Sequence, residues 1–496
     1  MKVISIISTI FILALTSCNS WLDITPKDTV DEDKLFTTGD GYRNVLNGVY
    51  SQMASTSMYG QELSWGMLDV LAQLYQSRGF TSGSTYYKFS TYNYSDKNTK
   101  SIIETIWSQA YNSIANCNSL LSKIDKTDST LFRALNHEKL LIKGEALALR
   151  AFLHFDMLRL FAPAPDVQDT KNYIPYFTVY PSTFEPDRSV KEVLEYAIKD
   201  LEEAKNLVAP HDTIDWRYML TDNLRIYYNG TDSDANQDLF FKNRGFRMNY
   251  LAVCALLARV YNYMGEFDAT YYQKSYDIAE HVLTFNLTPD KSKSNLLFTP
   301  YNDTDVNKKR YEEVIFCLSN QKLLENYEYL TTTTSRDKIN FYLQATSTLF
   351  DDNADVRRTN TTEAIGRNQI CTKNIAPTGA IGKYVYCQDM LPMIRISELY
   401  YIQAEYLIRQ NDLSGAIEKI DAVRKARNCQ IGSMGVMAKN INDLESFKKE
   451  VAKEALRDFM QEGQAFFYYK RFKLLPKSGM KESDMVLPKP DNETIH

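Results

Sequence analysis

"GEALALRAFLHFDMLRLFAPAP", residues 144–165, decides the reading of the fold. From Ala146 to Phe161 it is apolar nearly all round, interrupted by Arg150, His154, Asp156 and Arg159. A surface helix carries one apolar stripe, whereas a helix that is apolar on every side belongs in the interior. Pro163 and Pro165 end it, because proline lacks an N–H and its ring clashes with the preceding turn. The stretch therefore predicts a long, central, buried helix. His154 follows Arg150 by four residues and reads as a hydrogen-bonded core histidine rather than a base.

Outward from this helix the helical signals come in pairs. "DGYRNVLNGVYSQMAS" (40–55) spaces Val45, Val49 and Met53 four apart. "SIIETIWSQAYNSIANCNSLLSKI" (101–124) carries Ile103, Trp107, Tyr111, Ile114 and Leu121 on a similar stripe. "SVKEVLEYAIKDLEEAKNLV" (189–208) turns Val193, Ala197, Leu201 and Ala204 inward. Two further segments read as helix hairpins. Residues 248–283 have Ala255, Ala258 and Tyr261, a turn at Gly265-Glu266, and a second helix with Ala279. Residues 396–427 have Leu399, Ala404 and Leu407, a turn at Asn411-Asp412, then Ala416, Ile420 and Val423. Small residues at close approaches and tight turns resemble the tetratricopeptide unit, and about four irregular pairs are expected. A last helix runs Leu444, Phe447, Val451, Ala455, Phe459, with Asn442 and Glu445 at capping-box spacing. The fold class is thus mainly α, a scaffold of tetratricopeptide-like pairs. Strands are expected to be minor, as hairpins near 310–318 and 383–388.

Between the pairs lie long irregular stretches, roughly 60–100, 163–188, 209–246 and 284–392, rich in Tyr, Asn and Thr. Loops of this length in a compact protein are usually functional. "SGSTYYKFSTYNYSD" (82–96) and "DWRYMLTDNLRIYYNGTDSD" (215–234) are the clearest. The chain holds 34 tyrosines, whose flat ring and polar tip suit sugars and peptides, although most are expected to be structural.

The chain begins Met1-Lys2, then runs almost wholly apolar from Val3 to Leu15 and reaches "LTSC" at Cys18. A short basic start and a short apolar run predict a secretory signal over residues 1–17, too short for a permanent membrane span of roughly 20 residues. The end of the leader resembles the bacterial lipobox, which makes Cys18 the lipid anchor. An amino-terminal cysteine takes diacylglycerol on sulfur and an acyl chain such as palmitate on nitrogen, and more than one chain gives stable anchoring. The mature chain divides into 18–210, with the first helix pairs, and 211–496, with the later ones, as one interwoven unit.

A net charge of −5 argues against a nucleic-acid surface. Besides Cys18, the cysteines are Cys117, Cys254, Cys317, Cys371, Cys387 and Cys429, with no C-x-x-C pair. Six allow 15 connectivities. Cys371 and Cys387 flank a loop and are the favoured disulfide, while Cys254 reads as a buried thiol. Catalytic signatures are missing. The five histidines form no metal-binding spacing, and no G-x-S-x-G elbow occurs. "TGAIGKY" has two residues between its glycines and Tyr384 after the lysine, so it reads as an ordinary loop and not a P-loop. No carboxylate pair stands out for glycoside hydrolysis, most acids being expected on solvated helix faces. The chain is expected not to be an enzyme and to use no cofactor, and calcium is not indicated.

Five motifs in order, behind the lipobox, resemble the SusD/RagB family of outer-membrane nutrient-binding lipoproteins over nearly the whole chain. "CNSWLDITPKDTVDEDKLFTT" (18–38) looks like its opening, and residues 144–165 resemble its most recognisable helix through Arg150, Phe152 and Arg159. "IRISELYYIQAEYL" (394–407) matches through Arg395, Glu398, Ala404 and Glu405. "EALRDFMQEGQAFFYYKRF" (454–472) matches through Glu462, Gly463 and Arg471, with Gln464 and Ala465 where the family often has a basic residue. "LPKP" (487–490) is similar to its late Leu-Pro-x-Pro. The resemblance implies a binding protein at the cell surface that captures oligosaccharides or peptides and delivers them to a SusC-like TonB-dependent transporter, with the helix pairs facing that partner.

The family's ligand residues vary with the ligand, so the candidates come from chemistry: aromatic platforms beside polar groups in the long loops. The first set is Trp65, Asp69, Arg78, Tyr86, Tyr87, Tyr92 and Asn93, the second Trp216 and Tyr218. Rings would stack on sugar faces while Asp69, Arg78 and Asn93 hydrogen-bond hydroxyls. Glycan capture is the leading expectation. Peptide capture and a structural adaptor of an envelope complex without a small ligand are the alternatives.

Overall fold

A computed structural model of the chain describes residues 32–182, 184–215, 220–226, 238–286, 296–299, 307–331, 340–376, 387–430 and 440–493. The leader, Cys18, Trp216, Tyr218 and the whole "TGAIGKY" stretch lie outside them. In chain order, α1 spans Gly39–Met53, α2 Lys97–Ile124 and α3 Leu135–Phe161. Strands β1 (Asn172–Pro175) and β2 (Asp187–Ser189) pair antiparallel ahead of α4 (Val190–Ala209). Helices α5 (Tyr250–Met264) and α6 (Thr270–Thr284) form a hairpin. Then come β3 (Val314–Ser319), β4 (Thr362–Ile365), β5 (Asn368–Cys371) and β6 (Met390–Arg395). Helices α7 (Ile396–Arg409) and α8 (Leu413–Ala426) make the last hairpin, followed by α9 (Leu444–Asp458) and α10 (Gln464–Arg471).

The expected central helix is α3. Every residue from Gly144 to Phe161 is buried, and it packs between α2 and α4. Gly144 sits at the α3–α4 crossing, where a Cβ would lie 2.7 Å from Val208 and 3.0 Å from Leu207, so only glycine allows this approach. Each long helix packs on the next from α1 to α8, giving four tetratricopeptide-like pairs in one row. The α9 helix then leans on α7, and α10 on α9. One core runs from Phe36 to Leu487 and so includes both halves of the chain, while a second gathers Ala404, Ile420, Val423, Phe447, Val451 and Phe459 from α7, α8 and α9.

Local chemistry sets the helix ends. The capping box of α4 pairs Ser189 with Glu192. That of α9 pairs Asp443 with Ser446, one residue on from the expected Asn442 and Glu445; both settings place a short polar side chain before the apolar run, and it is the Asp443 carboxylate that accepts from the N3 amide, at 2.8 Å. The strands also differ from expectation. No hairpin forms at 310–318; β3 instead pairs antiparallel with β6, about 70 residues away, and residues 383–386 lie outside the described set. The local hairpin is β4–β5, at 362–371.

The expected Cys371–Cys387 disulfide is absent, and no disulfide joins the six described cysteines, all of them buried. Cys371 faces the main core, whereas Cys387 belongs to a separate small cluster with Cys317 and Met390. His154 is buried as expected: Nδ1 meets the Arg150 carbonyl oxygen at 2.9 Å, Nε2 accepts from the Phe177 amide at 3.0 Å, and the ring stacks on Tyr176. Burial pushes its pKa down to about 3, which keeps it neutral.

Candidate functional site

Segment 60–94 does not extend into solvent as an aromatic loop. It folds on itself through turns and the short helices Met67–Leu71 and Thr85–Ser90, and its largest rings become its own core. Trp65 is 0 % exposed; its indole N–H donates to the Gly60 carbonyl oxygen at 2.9 Å, and it meets Tyr327 and Phe341 edge to face. Asp69 is fully buried, accepts from the Gln461 amide at 2.7 Å, and is pushed by burial well above the usual carboxylate range. Tyr86 packs against Phe341; its hydroxyl donates to Glu62 at 2.8 Å and accepts from Gln61 at 2.7 Å. The structure places these three candidates inside the scaffold. The physical reason is shared: a large ring or an uncompensated loop backbone gains more from burial and hydrogen bonding here than from exposure. Tyr87, Tyr92 and Asn93 are half-buried. The Tyr92 hydroxyl donates to the Leu71 carbonyl oxygen at 3.0 Å, and the Asn93 side chain accepts from Ser95 at 2.8 Å.

Tyr86→Ala is accordingly expected to destabilise the protein by about 3–5 kcal/mol, the cost of emptying a buried aromatic site. A urea melt checks this: an unchanged midpoint would return Tyr86 to the surface. Glu62 supplies a second test. Burial raises its carboxyl to about 7 despite hydrogen bonds from Tyr86, the Met67 amide and Gln61. A raised carboxyl favours the protonated native state, so the cost of ionising it accumulates as pH rises from 4.5 toward 7. Glu62→Gln should flatten the loss of stability across that window, read as the slope of melting temperature against pH.

Among the described candidates Arg78 is the most exposed, and it stands where three distant segments interleave. The Gln76 amide donates to the Tyr342 carbonyl oxygen at 2.7 Å, the Gln344 amide to Leu74 at 2.9 Å, and the Leu343 amide to Gln369 at 2.8 Å. Gly79 lets the strands close: a Cβ there would fall 2.2 Å from the Asn340 carbonyl oxygen and 3.3 Å from the Tyr342 ring. Arg78 also donates to Gln76 and, at 3.3 Å, to the Asn368 side chain. The outcome is a surface of Gln76, Arg78, Asn340, Tyr342 and Asn368, exposed or half-exposed, over a floor of Tyr75, Phe80 and Phe341. Amides, a guanidinium and a ring edge can hydrogen-bond and stack on a polyhydroxylated ligand. Of this surface the sequence names Arg78 but not Tyr342, Asn340 or Asn368, because partners more than 260 residues away leave no local signal.

The charged residues of the recognised motifs have another role. Arg150 holds Asp200 through two bonds of 2.6 and 2.7 Å, Arg259 holds Glu398 through two of 2.6 Å, Arg395 pairs with Glu462, and Arg471 with Glu405. All are buried or nearly so, unlike most of the described acids. They lock distant segments of the scaffold together. Among the described residues no group of three or more His, Cys, Asp or Glu could hold a metal, and no helix is long and apolar enough to cross a membrane.

A row of helix pairs carrying an irregular polar-aromatic face defines a class of helical scaffold. The family models agree with that class and specify it. Residues 20–218 match a model described as "starch-binding associating with outer membrane", and residues 227–492 match the model of the SusD family. The chain belongs to the SusD family. Solved structures share the fold. A SusD superfamily protein from Bacteroides thetaiotaomicron superposes with a TM-score of 0.67 at 22% identity, over 92% of this chain and 97% of its own. A SusD-like carbohydrate binding protein from Bacteroides vulgatus gives 0.63 at 19%, over 88% and 84%. A SusD-like protein from Bacteroides fragilis gives 0.61 at 15%, over 94% and 96%. At such identities the likeness is one of fold. No curated protein matches the chain.

Proposed function

We propose that this chain is a lipid-anchored protein of the outer-membrane surface that binds glycans and passes them to a partner SusC-like TonB-dependent transporter. The observation that carries the reading is the match of residues 20–218 to the starch-binding, outer-membrane family model. The Arg78–Tyr342 surface supports it chemically, since it offers amides, a guanidinium and a ring to a polyhydroxylated ligand. Cys18 is the anchor in this reading, and catalysis is not part of it. Binding at such an open surface is modest, with micromolar to millimolar constants, roughly −8 to −4 kcal/mol. Tethering beside the transporter makes weak capture useful by raising local concentration.

Growth tests the role. Cells of the encoding organism that lack the chain should grow slowly on their glycan when it is scarce and normally when it is abundant. Complementation with Cys18→Ala should fail to restore growth at low concentration. Equal growth of the deleted and intact cells at every glycan concentration would contradict capture for uptake.

A further inference from the structure

A cleft of about 450 Å³ lies away from the segments of the Arg78 surface, between the C-terminal half of α1, residues 242–247, the end of β3 and Asp389. Its size falls within the roughly 300–1,000 Å³ of small-molecule sites. We propose that it is a second carbohydrate site, binding a neutral oligosaccharide segment; this rests on the glycan reading above.

Several polar groups of the lining are held in place by neighbours. Arg247 Nε donates to Glu145 at 2.8 Å and Nη1 to Asn47 at 2.9 Å, and the guanidinium lies over the rings of Tyr50 and Phe240 at 4.8 and 4.5 Å. On the opposite wall the Ser319 hydroxyl bonds the Asp389 carboxylate. The other lysine or arginine on the lining, Lys242, is 5 % exposed. Each charge on the described lining is engaged: Arg247 with Glu145 behind the lining and Asp389 with Ser319, while Lys242 is buried. The hydroxyls of a neutral ligand find partners here, because Asn47, Ser319 and Asp389 present donors and acceptors already oriented by their neighbours, with the exposed Ser51 beside them. Phe246, half-exposed on the lining, supplies the apolar face on which a pyranose ring stacks. One flat apolar side with polar groups around it is the complement of a neutral sugar.

The test is calorimetric titration of the full chain, in a polyoxyethylene detergent without sugar headgroups, with malto-, cello-, xylo- and mannohexaose. Two hexasaccharides per wild-type chain are expected for the probe that binds. Ser51→Trp fills the cleft from an exposed helix position and should reduce the stoichiometry to one with an unchanged melting temperature. Asp389→Ala should weaken the same event at least tenfold. A wild-type stoichiometry of one that both variants leave unaltered overturns the cleft site while the glycan reading stands. Absence of binding by any probe contradicts both.

Discussion

Glu454→Ala is expected to lower the stability of the fold by about 3–5 kcal/mol, the cost of removing one partner from a buried ion pair. Glu454 is completely buried on α9 and accepts from Arg357 at 2.9 Å, from Arg457 at 2.7 Å and from Arg424. Its neighbours extend the cluster: Asp458 accepts from Arg427 at 2.9 Å and Arg357 at 3.3 Å, and Glu313 accepts from Arg427 through two bonds of 2.6 and 2.7 Å. The network ties α8 and α9 to the segment before β3. Alanine would leave three guanidiniums facing a vacant site in a dry interior. For a chain of this size the loss corresponds to a fall in melting temperature of about 4 °C. A midpoint within 1 °C of wild type in a calorimetric scan would show that the cluster does not hold the helices.

The same cluster fixes the response to acid. Burial alone would raise the pKa of Glu454, but Arg457, Arg357 and Arg424 outweigh it and hold the carboxyl far below its ordinary value. Asp458 is likewise held down, by Arg427 and Arg357 against its burial. A lowered carboxylate contributes stability that is complete above its unfolded value, here about 4, and is lost as pH falls through the folded value. Stability of the wild type should therefore decline below about pH 4, and Glu454→Ala should decline less steeply over the same range.

The second large effect concerns ligand. Arg78→Ala combined with Tyr342→Ala is expected to weaken glycan binding at their surface roughly 100-fold, about 3 kcal/mol for one charge-assisted hydrogen bond and one stacking ring. Stability should change by less than about 0.5 kcal/mol, because neither side chain is buried in the core. This pair differs from Tyr86 in the direction of its consequences: Tyr86 belongs to the floor and fails through folding, while Arg78 and Tyr342 fail through affinity. Unaltered affinity in the double variant would remove this surface from the account.

What could be read in the sequence follows the physics of range. The α3 helix and the four pairs were legible because periodicity is local: Val193, Ala197, Leu201 and Ala204 all point inward on α4, as their spacing requires. The family motifs were legible as patterns, but their meaning was not. Nothing near Arg150 or Arg395 shows that each is committed to a carboxylate 50 or 67 residues away. The same limit hid the β3–β6 ladder and the contact of residues 76–79 with 340–342. Whether a loop tyrosine faces ligand or core is also a tertiary question. Tyr86 and Tyr87 are adjacent in sequence, yet the first bonds Glu62 in the interior and the second is half-exposed. Charge does not settle it either: Asp69 and Arg78 are both expected at the surface, yet Asp69 is fully buried and Arg78 is exposed.

The central claim, that this chain of the SusD family captures glycans, meets its most direct test in calorimetric titration of the full chain against soluble oligosaccharides, mucin-type glycans and mixed peptides. Saturable heat with a glycan, and none with peptides, is the predicted result. Saturable heat with peptides alone, or none with any glycan from a protein that melts cooperatively, would contradict it.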